Sequence, residues 1–124
     1  MKLSLDRMIL FVHDVSALTD FYRDSLGLAV VETIDREWAV LRCGPCELAL
    51  HRAGAPYRRA GRAPGGPNSN AKPVFRVHGD FVAMRERLIS SGVPMGEIKP
   101  NGSTGPFCDG TDPEGNVFQI AQIT

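Results

Sequence analysis

Apolar residues at Val15, Leu18, Phe21, Tyr22 and Leu26 recur near a 3.6-residue period, with Asp14 ahead of them and Gly27 behind. That spacing predicts a helix capped by Asp14 and stopped by Gly27. On either side, Met8–Val12 and Leu28–Ile34 are short runs rich in β-favouring residues and predict strands. Trp38–Arg42 and Cys46–Arg52 are two more extended runs, parted by Gly44 and Pro45, so the first half reads β-α-β-β-β. From Ala53 to Asn70 the pattern lapses into Ala, Gly, Pro, Arg and Asn, with Tyr57 the single large apolar residue, which predicts a linker. Patterning resumes in a strand at Val74–Val77. A helix follows, carrying Phe81, Val82, Met84, Leu88 and Ile89 and stopped by Gly92. Strands at Met95–Lys99, Phe107–Asp109 and Val117–Ile123 complete a second β-α-β-β-β, the last two joined by a turn at Asp112–Asn116.

The two halves repeat one another. Val12-His13 and Val77-His78, Ser25 and Ser90, and Gly27 and Gly92 are each 65 positions apart, which sets strand end, helix length and helix stop in common register. Glu47-Leu48-Ala49 falls over Gln119-Ile120-Ala121 with a displacement of 72. The expected organisation is therefore one domain over residues 1–124, with a first module at 1–52, a linker at 53–70 and a second module at 71–124.

Composition narrows the function. A chain of 124 residues with 43% hydrophobic residues supports one packed domain. Fourteen Lys and Arg against fourteen Asp and Glu leave no net charge, which argues against nucleic acid as a partner. The apolar run Met8–Val12 is too short for a signal or a membrane span, and three cysteines are too few for a disulfide scaffold. A soluble cytoplasmic protein with no membrane partner is expected.

The tandem modules, together with Phe11-Val12-His13-Asp14-Val15, Phe21-Tyr22-Arg23-Asp24, Leu26-Gly27-Leu28 and Asp112-Pro113-Glu114-Gly115-Asn116 followed by Phe118-Gln119-Ile120, resemble the vicinal oxygen chelate superfamily. That superfamily takes in glyoxalase I, bleomycin-resistance proteins and extradiol dioxygenases. The resemblance covers nearly the whole chain and implies an α+β fold: two tandem βαβββ modules forming a curved, cup-shaped mixed sheet with helices outside. It also implies a homodimer. It leaves the activity open, because one fold hosts many chemistries.

In such a fold alternate strand residues face the cup. Parity assigns Arg7, Ile9 and Phe11 to it from the first strand, Glu47, Ala49 and His51 from the fourth, Lys72, Val74 and Arg76 from the fifth, and Gln119 and Ala121 from the last. Trp38 is expected to join the apolar wall. Metal-dependent members place His, Glu or Gln at one inward position on each of these strands, and the matching positions here are Arg7, Glu47, Lys72 and Gln119. A guanidinium and an ammonium do not donate to a metal, so no metal cofactor is expected. His51 lies four residues, roughly 13 Å of strand, beyond Glu47 and falls at the rim. His13 and His78 read as capping or surface residues. Arg7, Lys72, Glu47 and Gln119 form either a closed ion-pair network or, with Arg76, a cationic ligand site.

Cys43-Gly44-Pro45-Cys46 has the spacing of a redox dithiol, but no helix is predicted after it to lower the thiol pKa, so it reads as a hairpin turn. Cys108 reads as a small buried hydrophobe. Arg52, Arg58, Arg59 and Arg62 make the linker basic, and as a lid it would bring Tyr57 to the cavity. The expected function is to bind a small molecule of apolar or aromatic body and anionic group, without metal, through Arg7, Ile9, Phe11, Trp38, Glu47, His51, Lys72, Val74, Arg76 and Gln119. The alternative is an enzyme of the same fold, a metal-dependent lyase or dioxygenase, or a metal-free isomerase with Glu47 as base.

Overall fold

Strict alternation of burial along Arg7–Val12 makes this segment strand β1, with Met8, Leu10 and Val12 turned inward and Arg7, Ile9 and Phe11 exposed. It belongs to a computed structural model that describes residues 1–60, 69–100 and 105–123. Chain contacts divide the molecule into two units, residues 1–65 and 66–124. No helix among the described residues is long and apolar enough to cross a membrane.

In the first unit the Asp14 carboxylate accepts the Ala17 N–H at 3.0 Å and starts helix α1, Val15–Asp20. The helix runs on through a π-helical turn, Phe21–Ser25, to Gly27 at a φ of 76°. Strands β2 (Ala29–Ile34), β3 (Trp38–Cys43) and β4 (Cys46–Arg52) follow, and the sheet order is β1-β4-β3-β2, with β1 and β4 parallel. Val15, Leu18 and Tyr22 bury their side chains on the same side as Val12, Ala39, Leu41, Leu48 and Leu50, so α1 packs on one face of this sheet. Beyond β4 the chain forms a short helix α2, Ala55–Ala60. A linker was expected from Ala53 onward. Pro56 favours the helix instead, because in a first turn its missing N–H has no intrahelical partner to lose. Arg58 adds a hydrogen bond to the Ala53 carbonyl at 2.6 Å. The rest of the expected linker up to Asn68, including Arg62 and the side chain of Arg59, lies outside the described residues, as does most of the loop expected at 100–106.

The second unit repeats the scheme with β5 (Val74–Arg76), helix α3 (Phe81–Ser90), β6 (Phe107–Thr111) and β7 (Val117–Ala121), in the order β5-β7-β6. The expected strand at Met95–Lys99 is reduced to two isolated bridges, Met95 with Gly110 and Lys99 with Phe107. Its core joins Phe81 and Leu88 to Cys108, Phe118 and Ile120. Gly110 is required there: an added Cβ would stand 2.5 Å from the Met95 Sδ and 2.6 Å from the Phe118 ring. The turn before β7 is closed by buried Asp112, which accepts from the backbone N–H groups of Glu114 and Asn116 at 2.9 and 3.0 Å. The architecture is α+β, built of βαβββ modules.

The repeat is real in order but not uniform in spacing. Asp14 and Asp80 cap the two helices in the same way, 66 positions apart, while Gly27 and Gly92 are 65 apart. The first helix is therefore one residue longer, and the π-helical turn takes up that residue. The equal helix length read from the sequence is corrected accordingly.

Candidate functional site

The face of the first sheet opposite α1 is ordered in three rows by strand register. One row crosses Arg7, Glu47 and Arg42, the next Ile9, Ala49, Val40 and Glu32, and the third Phe11, His51, Trp38 and Ile34. A register shift between Val30 and Glu32 is what brings Glu32 to this face. The first row is ionic: Arg7 donates from Nε and Nη2 to Glu47 Oε1 at 3.1 and 2.9 Å, and Arg42 stands 3.8 Å from the other carboxylate oxygen. The third row is aromatic, with the His51 ring 5.3 Å from Phe11 and 5.6 Å from Trp38. The two rows meet over the middle one. The Arg7 guanidinium lies 5.5 Å from the Trp38 ring centroid, a cation–π distance, and the indole N–H donates to Glu32 at 3.2 Å. Beneath them Ala49 and Val40 are buried, whereas Ile9 and Phe11 remain 43% and 49% exposed.

In the second unit the corresponding row crosses Val74, Gln119 and Asp109. Register therefore sets Val74, not Lys72, where Arg7 stands in the first unit. Lys72 precedes the strand and reaches forward to Asp109, Nζ to Oδ2 at 2.8 Å, while Gln119 donates to Asp109 Oδ1 at 3.1 Å. Burial acts to raise the Asp109 carboxyl, but the bonds from Lys72 and Gln119 and the charges of Lys72 and Lys99 outweigh it and hold the group below the ordinary carboxylate range. Arg76, on the same face, is exposed. The closed network expected among Arg7, Lys72, Glu47 and Gln119 is thus replaced by two local ones, because Lys72 finds an acid within its own unit.

Sequence reasoning missed three residues. Arg42 and Asp109 were legible from the hairpins: Cys43 opposite Cys46 sets Arg42 opposite Glu47, and Thr111 opposite Val117 sets Asp109 opposite Gln119. Glu32 was not, since simple alternation does not reveal a bulge. Each unit thus carries an acid that the sequence reading did not count, Glu32 in the first and Asp109 in the second.

Gly44, at a φ of 59°, and Pro45 form the two-residue turn between β3 and β4, as the sequence suggested. Burial, then the charge of Cys46, pushes the Cys43 thiol up, opposite to what a catalytic dithiol needs. Cys108 is buried. Tyr57 lies on α2 and is 47% exposed.

The family model for the Glyoxalase/Bleomycin resistance protein/Dioxygenase superfamily matches residues 4–120. The chain belongs to this superfamily. Solved structures agree in fold. TnmS3, an antibiotic binding protein from Streptomyces sp. CB03234, is 23% identical at a TM-score of 0.76, over 100% of this chain and 99% of that one. A lactoylglutathione lyase from Agrobacterium tumefaciens is 18% identical at 0.72, over 98% and 94%. A glyoxalase-related enzyme from Fulvimarina pelagi is 19% identical at 0.74, over 98% and 88%.

Metal-dependent members of the superfamily hold a divalent ion through inward His, Glu or Gln residues. The donor set here does not fit one. Of the four positions that register matches, Arg7 is a cation and takes up Glu47 Oε1, Val74 stands where Lys72 was expected and has no donor atom, and the Gln119 amide donates to Asp109. Among the described residues no three His, Cys, Asp or Glu side chains are grouped to hold a metal.

Proposed function

We propose that this glyoxalase-superfamily chain is a metal-free small-molecule binding protein, acting as a homodimer, whose ligand has an apolar or aromatic body and an anionic group. The body lies on Ile9, Phe11 and Trp38 with His51 at the rim, and the anionic group faces Arg42 and the outward N–H groups of Arg7. One observation carries this reading: aromatic surface left half-exposed at Phe11 adjoins a row in which two guanidiniums share one carboxylate. Arg42 is 61% exposed and makes no other ion pair among the described residues, which leaves its planar fork available for a carboxylate, phenolate or phosphate. An antibiotic binding protein of the same fold supports the class of function.

A recess of about 320 Å³ between α1 and the β2–β3 turn offers another cavity. The Thr19 hydroxyl on its wall is engaged with the Val15 carbonyl at 2.6 Å, and neither Phe11 nor Arg42 reaches it, so the open face is the better site. The isomerase reading is disfavoured by the two hydrogen bonds Glu47 Oε1 already accepts from Arg7.

Titration with an aromatic sulfonate such as anilinonaphthalene sulfonate, followed by a thermal-shift screen of aromatic acids, tests the proposal. Arg42→Ala and Phe11→Ala should each weaken binding about tenfold or more, the worth of one charged hydrogen bond or one buried ring. Unchanged affinity in both variants, or a stoichiometric metal that survives dialysis, overturns it.

A further inference from the structure

The ligand face makes no use of the two thiols at the end of the β3–β4 hairpin, which register sets on the opposite side of the sheet from Arg42 and Glu47. Cys43 and Cys46 are free, partly accessible, and directly opposed as the closing pair of the β3–β4 ladder. Opposed residues of an antiparallel pair have Cα atoms about 4.5–5.5 Å apart with side chains on one face, inside the roughly 4.4–6.8 Å window of disulfides. Joining them needs no large backbone movement. The third cysteine, Cys108, is buried in the other unit.

A second contact links this pair to the ligand face. The Cys46 thiol donates to the carbonyls of Asp6 at 3.4 Å and Leu5 at 3.7 Å. The Asp6 carbonyl also accepts the Glu47 N–H at 2.9 Å, and the next residue is Arg7, which holds Glu47 and covers Trp38. A disulfide has no thiol hydrogen, so oxidation removes one of the two donors that fix the start of β1.

We propose that Cys43 and Cys46 form a reversible thiol–disulfide switch, oxidised by a low-molecular-weight disulfide, that resets the Arg7–Glu47–Trp38 cluster. Cys46 sulfur attacks one sulfur of glutathione disulfide, expels one glutathione thiolate and releases its own proton to solvent. Cys43 sulfur then attacks the Cys46 sulfur, gives up its proton and expels the second glutathione. Two protein thiols are oxidised and one glutathione disulfide is reduced to two thiols. Cys46 attacks first because burial disfavours the Cys43 thiolate. Partial exposure at the hairpin end leaves this bond open to reduction again, as a switch requires.

The proposal does not rest on the ligand, because mass and the emission of Trp38, the single tryptophan, read it directly. Native protein is incubated with glutathione disulfide, quenched in acid and mapped by mass spectrometry. The expected result is loss of two hydrogens, a Cys43–Cys46 cross-link reversed by dithiothreitol, and a changed Trp38 emission. Cys43→Ser should instead retain one glutathione on Cys46, with the cross-link absent. Native protein that stays reduced, or that accumulates a mixed disulfide, overturns the switch. A cross-link that leaves Trp38 emission unchanged overturns its link to the cluster. Failure of the sulfonate to bind either redox form counts against the ligand site and not against this switch.

Discussion

Replacing Asp112 with alanine is expected to be among the most damaging single changes outside the apolar core. The residue is 5% exposed, and its Oδ1 accepts the backbone N–H groups of Glu114 and Asn116 at 2.9 and 3.0 Å. The Asn116 side-chain amide reaches both oxygens, at 3.2 and 3.0 Å. Three donors therefore depend on one carboxylate. A hydrogen bond to a charged group is worth about 1.5–3 kcal/mol, and unpaired buried donors cost more than lost bonds return. Glu114 and Asn116 are only half-buried, so water recovers part of that loss. Asp112→Ala should then cost roughly 2–4 kcal/mol, or on the order of 10 °C in Tm for a chain of this size. Asp112→Asn is the informative control: its carbonyl oxygen still serves both backbone donors, while its amide meets the Asn116 amide as donor against donor. A loss of about 1 kcal/mol is expected for it. Urea unfolding followed by far-ultraviolet circular dichroism measures both. Equal losses in the two variants, or a loss below about 1 kcal/mol in Asp112→Ala, would refute the view that the carboxylate holds this hairpin.

Gly110→Ala should destabilise by about 1–3 kcal/mol, the usual range for overpacking, because its Cβ meets the buried Phe118 ring; a neutral melt would show that the ring yields. Asp109 has its carboxyl lowered in the folded state, so the stability it contributes is complete above its ordinary value of 3.8 and is lost as pH falls through the lower folded value. Asp109→Asn should accordingly flatten the pH dependence of Tm below that value, and an unchanged slope would deny the Lys72 pairing a role. At neutral pH Cys43 should react with iodoacetamide more slowly than a free thiol, as judged by peptide mapping; fast labelling would contradict the burial of its sulfur.

Periodicity was enough for the fold because each module alternates strand and helix patterns over segments long enough to read. β1, α1 and β4 fall where alternation and the 3.6-residue spacing set them. It failed where a single residue is inserted without changing composition. The π-helical turn at Phe21–Ser25 and the bulge before Glu32 each add one residue, and each changes which side chains share a position. At Met95–Lys99 Pro94 and Gly96 flank the first bridge, and only two bridges form. Parity set Arg7, Ile9, Phe11, Glu47, Ala49 and His51 on one face of β1 and β4, and the structure has them opposite α1, since Val12, Leu48 and Leu50 turn toward the helix. Partners were harder, because an ion pair depends on reach as well as register: Lys72 passes over Val74's position to meet Asp109.

The same difference between the units bears on why their donor rows do not fit a divalent ion. In the first unit the row that would carry ligands is Arg7, Glu47 and Arg42; in the second it is Val74, Gln119 and Asp109, with Lys72 brought in from outside the strand. Each unit neutralises its own acid with its own base, so neither row depends on the other for its charge balance. Reverting one residue, such as Arg7→His, would therefore not restore a metal. The new imidazole would stand beside a Glu47 still faced by Arg42, and Asp109 would still be bound to Lys72. Isothermal titration with zinc checks this: no binding by Arg7→His is expected, and tight binding by it would show that the ion pairs do not exclude metal.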